Sequence, residues 1–272
     1  MVASGNSTLK FIPAQPLAIA PTPIADQLTA APTLPPAAPP LSAQAPTPLA
    51  FPLVHGSRAG NAIALTFDAD MTPGMLSQLH NGQVRSWYDA SIIQTLDKER
   101  VPATFFLTGL WTGAYPDQAR ALAADPLVEL GNHTYDHAAF HTPCYGLWQA
   151  SDKSAEIQQA QDMIIRATGV TPRLFRFPGD CDAASDVDLV RGLGMTVVSG
   201  DVAGADAFNP SPASVTATVL SHAQPGSIVI LHCHGGPNAP ATGAALAPII
   251  QGLRAKGLKF VTVSELMRED SA

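Results

Sequence analysis

Ala62-Ile63-Ala64-Leu65-Thr66-Phe67-Asp68-Ala69-Asp70 is the stretch that decides the architecture of this chain. A short run rich in strand formers stops on acidic side chains, and the same design recurs downstream. After the strand candidate at 62–67 come further candidates at 103–107, 127–130, 174–177, 196–199, 228–231 and 260–263. Helical patterns alternate with them at 84–98, 116–124, 153–168, 184–193, 213–223 and 243–256. Such alternation predicts a parallel α/β architecture. The pattern at 153–168 is the clearest, with Ile157, Ala160, Ile164 and Ala167 at helical spacing and Gly169 as its stop. Several strand candidates run into polar residues: Phe67 into Asp68, Leu231 into His232, and Arg176 beside Phe177. Strand ends on one face of a parallel barrel build its site, so these side chains are expected to converge.

A second stretch, Gly131-Asn132-His133-Thr134-Tyr135-Asp136-His137, adds chemistry to that frame. Histidines four residues apart can share one face of a helical turn, and a carboxylate from the Asp68-Ala69-Asp70 strand end can complete a facial metal site. The combination points to metal-assisted hydrolysis. In a chain with eight histidines the pair alone also arises on a surface turn or in a satisfied core, so the reading leans on the other strand ends.

Composition divides the chain at about residue 53. Residues 1–53 are dominated by Ala and Pro, as in Ala31-Pro32-Thr33-Leu34-Pro35-Pro36-Ala37-Ala38-Pro39-Pro40. Proline removes backbone donors and biases its predecessor towards extended conformations, which predicts a disordered, PPII-like tether. The globular part is then 54–272. No stretch has the apolar length to span a bilayer, and Met1-Val2-Ala3-Ser4 lacks the basic start and apolar segment of a signal peptide. Two readings stay open: a cytoplasmic protein, or one exported to the periplasm, cell wall or exterior whose signal segment is missing from this sequence. A tether of this kind suits a catalytic domain that reaches across a cell envelope, and export is the expectation taken forward. The net charge of -7, with no clustered Lys/Arg run, argues against nucleic-acid or anionic-membrane partners and suits a neutral polymer. Three cysteines allow one disulfide. Cys144 and Cys181 follow two site segments and could bridge the mouth of a pocket; three free thiols are the other reading.

In order, Thr66-Phe67-Asp68-Ala69-Asp70, His133-Thr134-Tyr135-Asp136-His137, Arg176-Phe177-Pro178-Gly179, Asp206 and Ile230-Leu231-His232 resemble the motifs of the polysaccharide deacetylase family, also called the NodB-homology or carbohydrate esterase 4 family. The resemblance covers roughly residues 62–267. It implies a distorted, partly open (β/α) barrel and a metal-dependent hydrolase that removes acetyl groups by attack of a metal-bound water. By this resemblance His133 and His137 are metal ligands, for zinc most often and for cobalt or another divalent ion in some members. Asp68 resembles the catalytic base and Arg176 the arginine that orients it, a role suited to a planar guanidinium fork. His232 resembles the general acid for the departing amine, and Asp206 the partner that orients it and raises its pKa. The oxyanion is expected to be met by the metal and a backbone N–H of the opening loop or the Arg176 loop. Taken singly, Arg176 reads as a surface salt bridge, Asp206 as a turn residue and His232 as a buried strand-end histidine; the ordered set favours function.

The chain departs from the family in places. Two adjacent aspartates are usual, the second being a metal ligand, and here that position is Ala69. Asp70 reaches the metal instead, or Asp68 coordinates, or two histidines suffice with extra water; Asp70 is preferred because a two-ligand zinc site is weak. Gly179 stands where a tyrosine is common and Ala207 where a tryptophan is common, so stacking on a sugar ring falls to Phe177, Phe208, Tyr145 or Trp148. The stretch 141–148 is expected to form a lid or rim, with His234 at the same mouth, and Cys233 replaces a frequent aspartate. The expected substrate is an N- or O-acetylated polysaccharide such as peptidoglycan, a chitin-like polymer or an exopolysaccharide. The alternatives are a non-catalytic carbohydrate-binding protein with a degenerate metal site, and a hydrolase of a non-sugar amide or imide.

Overall fold

The computed structural model describes residues 47–269. The tether expectation for residues 1–46 lies outside the described residues. In chain order the elements are β1 (Ala62–Ala69), α1 (Pro73–His80), α2 (Ala90–Glu99), β2 (Ala103–Leu107), α3 (Gly109–Ala114), α4 (Pro116–Ala124) and β3 (Val128–Asn132). Then follow α5 (Lys153–Thr168), β4 (Leu174–Phe175), α6 (Ala184–Gly192), β5 (Thr196–Val197), β6 (Val202–Ala203) and α7 (Pro212–His222). The last are β7 (Ile228–His232), α8 (Thr242–Ala255), β8 (Lys259–Val261) and α9 (Val263–Glu269).

Every ladder is parallel, and the sheet runs β5-β4-β3-β2-β1-β7-β6. Strand β8 covers the first residues of β1, pairing Ala62 with Lys259, and β2 takes over from Leu65. The result is a curled, partly open barrel with helices outside, as the resemblance implies. Leu53 bridges to Val198 on the β5 side and His55 to Ser227 on the β7 side, so the chain just before β1 ties two flanks together. Leu53 itself is buried, although the composition grouped it with the tether.

Alternation along β1 explains where the site is. Successive side chains of a strand point to opposite faces. Ile63, Leu65, Phe67 and Ala69 join the large core with Ile92, Trp111, Ile249 and Leu253 of the surrounding helices. On the other face Ala62 and Ala64 join a smaller apolar cluster with Phe106, Val198 and Val261. Thr66, Asp68 and Asp70 continue that inner face and are buried. The barrel is therefore filled with hydrocarbon at the start of β1 and with polar groups at its end.

Helices α4 and α5 begin and end where the periodicity places them. Asp152 caps α5 by accepting from Ala155 N–H, and Gly169 ends it at φ 75°. Helix α2 starts at Ala90 instead of residue 84, because the Asp89 side chain accepts Ser91 N–H at 3.0 Å and fixes the cap there. Helices α1, α3 and α9 and strand β6 were not expected from the sequence. The first two are set by Thr72 and Thr108, whose hydroxyls accept from Met75 and Trp111 N–H. Six to eight residues give barely two turns, too few for periodicity to show.

Candidate active site

Arg176 lies just past β4 and is almost fully buried. Its Nη1 donates to Asp68 Oδ1 at 2.7 Å and to Thr66 Oγ1 at 2.8 Å. Nη2 donates to the Ser199 carbonyl at 3.0 Å and Nε to the Val198 carbonyl at 3.3 Å. The guanidinium also lies 4.2 Å from the centre of the Phe106 ring. A buried charge persists only when paired and hydrogen-bonded, and here the planar fork meets four oxygens and a ring face. This is no surface salt bridge, and a lysine ammonium could not reproduce its geometry.

The helical turn that the spacing of His133 and His137 allows is not what the chain adopts. Both histidines lie on an irregular loop after β3, with Thr134 at φ 69° and His137 at φ 70°. A β-branched residue in left-handed conformation is costly, so the loop has to be over-determined. Thr134 N–H donates to Asn132 Oδ1 and His137 N–H to Thr134 Oγ1. Glu156, in the first turn of α5, accepts the N–H groups of Tyr135 and Asp136. The start of α3 binds the loop from the other side, through Gly109 and Leu110 N–H to the Thr134 and Tyr135 carbonyls.

These constraints bring both imidazoles to Asp70. His133 Nδ1 is 2.9 Å from the Arg176 carbonyl, which assigns its proton to that bond and turns Nε2 to Asp70 Oδ1 at 3.3 Å. His137 Nε2 is 3.5 Å from Asp70 Oδ2. Burial works against charge on Asp70, but His137, His234, His133 and His232 around it hold its pKa well below the carboxylate range. Burial likewise opposes charge on His133, and Asp68, Asp70 and the Arg176 carbonyl overcome it and raise its pKa. Burial pushes His137 down to about 4, with His133 and His234 adding to the effect, so it presents a neutral lone pair.

The donor atoms of Asp70, His133 and His137 all lie within 4.8 Å of one another. Asp70 Oδ1 is buried without a hydrogen-bond partner. One carboxylate oxygen and two imidazole nitrogens, with an orphaned buried oxygen among them, fit a zinc-type ion with an open position. Ala69, where the family's second aspartate would stand, faces the core. Asp70, two residues after Asp68, therefore shares its face of the strand end.

On the opposite side His232, at the end of β7, has Nδ1 2.8 Å from Asp206 Oδ1. Asp206 Oδ2 accepts His232 N–H at 2.8 Å and the Thr242 hydroxyl at 2.6 Å. Burial disfavours charge on His232, yet Asp206 outweighs it and lifts the imidazole pKa to about 10. Burial also opposes ionisation of Asp206, and His232 with Thr242 brings its pKa down. Thr242 was missed by the sequence reading, and no local pattern marks it. Thr66 belongs to the opening motif, and nothing in that motif signals its bond to Arg176. Cys233 is buried in the core beneath the site and burial pushes its thiol well up, so it takes no part in the cleft.

These groups open into a cleft of about 600 Å3. The stretch 141–148 forms its rim, pinned by a Cys144–Cys181 disulfide with a Cα–Cα distance of 5.9 Å. Gly179 permits this: at φ 64°, a Cβ there would lie 2.8 Å from Cys144 Sγ. Of the four stacking candidates, Tyr145 and Phe208 line the cleft and are 90% and 73% exposed. Phe177 reaches the cleft but is buried against Phe140 and Phe175. Trp148 is exposed yet does not line the cleft.

A family model described as polysaccharide deacetylase matches residues 55–198, more than half of the chain. An uncharacterized protein of Bacillus subtilis is 29% identical over 182 residues, 67% of this chain and 54% of that protein. A peptidoglycan-N-acetylglucosamine deacetylase of Bacillus cereus is 26% identical over 181 residues, covering 66% of this chain and 64% of the relative. The chain thus spans less than two thirds of the length of these curated relatives. Among solved structures, a wild-type pseudoenzyme of carbohydrate esterase family 4 from Bacillus anthracis superposes with a TM-score of 0.66. Its sequence is 25% identical, and the match covers 80% of this chain and 69% of that one. A mutant pseudoenzyme of that family, described as having restored enzymatic activity, gives the same TM-score at 26% identity, over 80% of this chain and 72% of the mutant's.

Proposed function

The chain belongs to the polysaccharide deacetylase family, and on that premise we propose that it hydrolyses acetyl groups from an N- or O-acetylated polysaccharide of a cell envelope, with Asp70, His133 and His137 holding a divalent ion such as Zn2+ or Co2+. One observation carries the reading. Two prepared charge pairs, Asp68 with Arg176 and His232 with Asp206, flank the Asp70 cluster in a single cleft. A sugar-binding surface has no use for that arrangement.

A divalent ion held there would supply Lewis acidity and lower the pKa of a water towards neutrality. Asp68 accepts the proton that the water loses as it attacks the acetyl carbon. Arg176 occupies Asp68 Oδ1 and leaves Oδ2 for that transfer. His232 carries the proton returned to the leaving nitrogen or oxygen when its bond to carbon breaks. Asp206 takes Nδ1, so Nε2 is the atom that donates. The products are acetate and a free amine or hydroxyl on the polymer.

Tyr145 and Phe208 offer apolar faces on which pyranose rings can stack, in place of the aromatics absent at Gly179 and Ala207. The Cys144–Cys181 bond supports export, because disulfides persist in oxidising compartments. Among the described residues no helix is long and apolar enough to cross a membrane. Peptidoglycan and chitin-like oligomers are the substrates to try first, since relatives carry the names peptidoglycan-N-acetylglucosamine deacetylase and chitooligosaccharide deacetylase. Acetate release from these polymers should vanish with a chelator, return with Zn2+ or Co2+, and be lost in His133→Ala. Release that survives both chelator and substitution would contradict a metal mechanism.

A further inference from the structure

His234 stands in the same cleft with no role in the chemistry above. It is almost wholly buried, and its Nε2 lies 2.7 Å from the backbone nitrogen of Asp70. Since the peptide N–H is the donor, Nε2 must be the acceptor and Nδ1 the protonated nitrogen. Its lone pair is thereby committed to the backbone. That sets His234 apart from His133 and His137, although it lies 3.6 Å from Asp70 Oδ2.

The register of β1 and β7 shows why a side chain is needed there. Asp68 pairs with His232, and Cys233 N–H donates to the Asp68 carbonyl at 3.1 Å. Continued by two residues, the parallel ladder would bring the Asp70 N–H to the Cys233 carbonyl. That carbonyl is taken instead by Asp89 N–H at 2.9 Å, at the cap of α2. The ladder stops one bond short, and the side chain of His234, two residues past the end of β7, supplies the missing acceptor. On the far side of β1 the Thr108 backbone N–H and hydroxyl both close on the Ala69 carbonyl, so the peptide ahead of Asp70 is gripped from two directions.

We infer that His234 is a positioning residue: its imidazole stands in for the missing ladder carbonyl and fixes the Asp70 backbone, so that the carboxylate meets His133 and His137. The inference rests on the reading of those three residues as the metal-holding set. It ties His234 to the Asp-Ala-Asp spacing, since Asp70 is the first residue beyond the strand.

Metal affinity tests it without any substrate. Titration of metal-free protein with Co2+, followed by calorimetry and by the visible absorption of the bound ion, is compared for wild type, His133→Ala, His234→Gln and His234→Asn. A glutamine amide oxygen reaches the place of Nε2, whereas asparagine is shorter and reaches only that of Nδ1. His234→Gln should stay within about threefold of wild type, and His234→Asn should weaken binding about 10- to 100-fold, the usual scale for groups that orient a ligand. Equal affinities in the two variants, whether both wild-type or both weakened, overturn the positioning role, as does a weaker Gln than Asn variant. Wild type that takes up no Co2+, or His133→Ala that binds it as tightly, sinks the metal reading itself and is told apart by that control.

Discussion

The two sides of the cleft are completed in different ways. Around Asp68 and His232 each charge already has its counter-charge: Arg176 bonds Asp68, and Asp206 bonds His232. Around Asp70 the protein supplies partners by position and not by bond. Its Oδ1 is buried without a hydrogen bond and faces His133 Nε2 at 3.3 Å. The native protein tolerates few such groups, because each costs about 1–3 kcal/mol. The contrast separates carboxylates already spent on ion pairs from one whose oxygen is left open, the feature the proposed metal site would use.

The strongest way to break this comparison is to exchange the fates of the two aspartates. Asp70→Ala should lower metal content of the purified protein by about 100-fold or more in affinity, while Asp68→Ala keeps its metal and loses about 10²–10⁴ in kcat. Elemental analysis and acetate-release rates on the same preparations separate the two effects. Metal lost equally from both would erase the division.

The second test reads stability against pH. His232 has its pKa raised from 6.5 to about 10, so its pairing contributes fully below about pH 6.5 and is lost as pH rises through about 10. Asp206, lowered from 3.8, contributes above that value and loses its contribution as pH falls through its folded pKa, below this window. Asp206→Asn should therefore be less stable than wild type in urea at pH 6, with the gap closing towards pH 10. A gap independent of pH would mean that Asp206 acts through Thr242 alone.

Two smaller effects belong to the rim. Replacing Cys144 and Cys181 by serine opens a loop of 37 residues' separation and should cost about 2–4 kcal/mol in denaturant unfolding. The metal content should be unchanged, since neither cysteine touches the Asp70 cluster. Tyr145→Ala or Phe208→Ala should raise KM for a polymeric substrate about twofold to tenfold with kcat preserved, the scale of one aromatic contact. Unaltered KM in both would place the sugar-binding surface elsewhere.

Much of this was legible in the sequence, for reasons that differ by residue. Helix 153–168 could be read because sixteen residues carry their own periodicity, cap and stop. Asp68, Arg176 and His232 could be placed because each ends or follows a strand, and parallel strands gather their ends; Asp206 came only from the family resemblance, since the two-residue β6 before it leaves no pattern. For His133 and His137 spacing left a helical turn open, because it carries no record of the strained φ angles that Asn132, Glu156 and α3 impose from outside the motif. Thr242 had no signal at all, since its bond to Asp206 crosses from another element. The function of His234 was hidden likewise: it depends on where the Cys233 carbonyl goes, and that is decided by Asp89, far away in the chain.

The position of Ala69 has a consequence for how such genes are sorted. A search pattern that demands neighbouring aspartates would file this chain with degenerate copies. At a strand's end, side chains two residues apart share a side, so Asp68-Ala69-Asp70 still presents two carboxylates to one cleft.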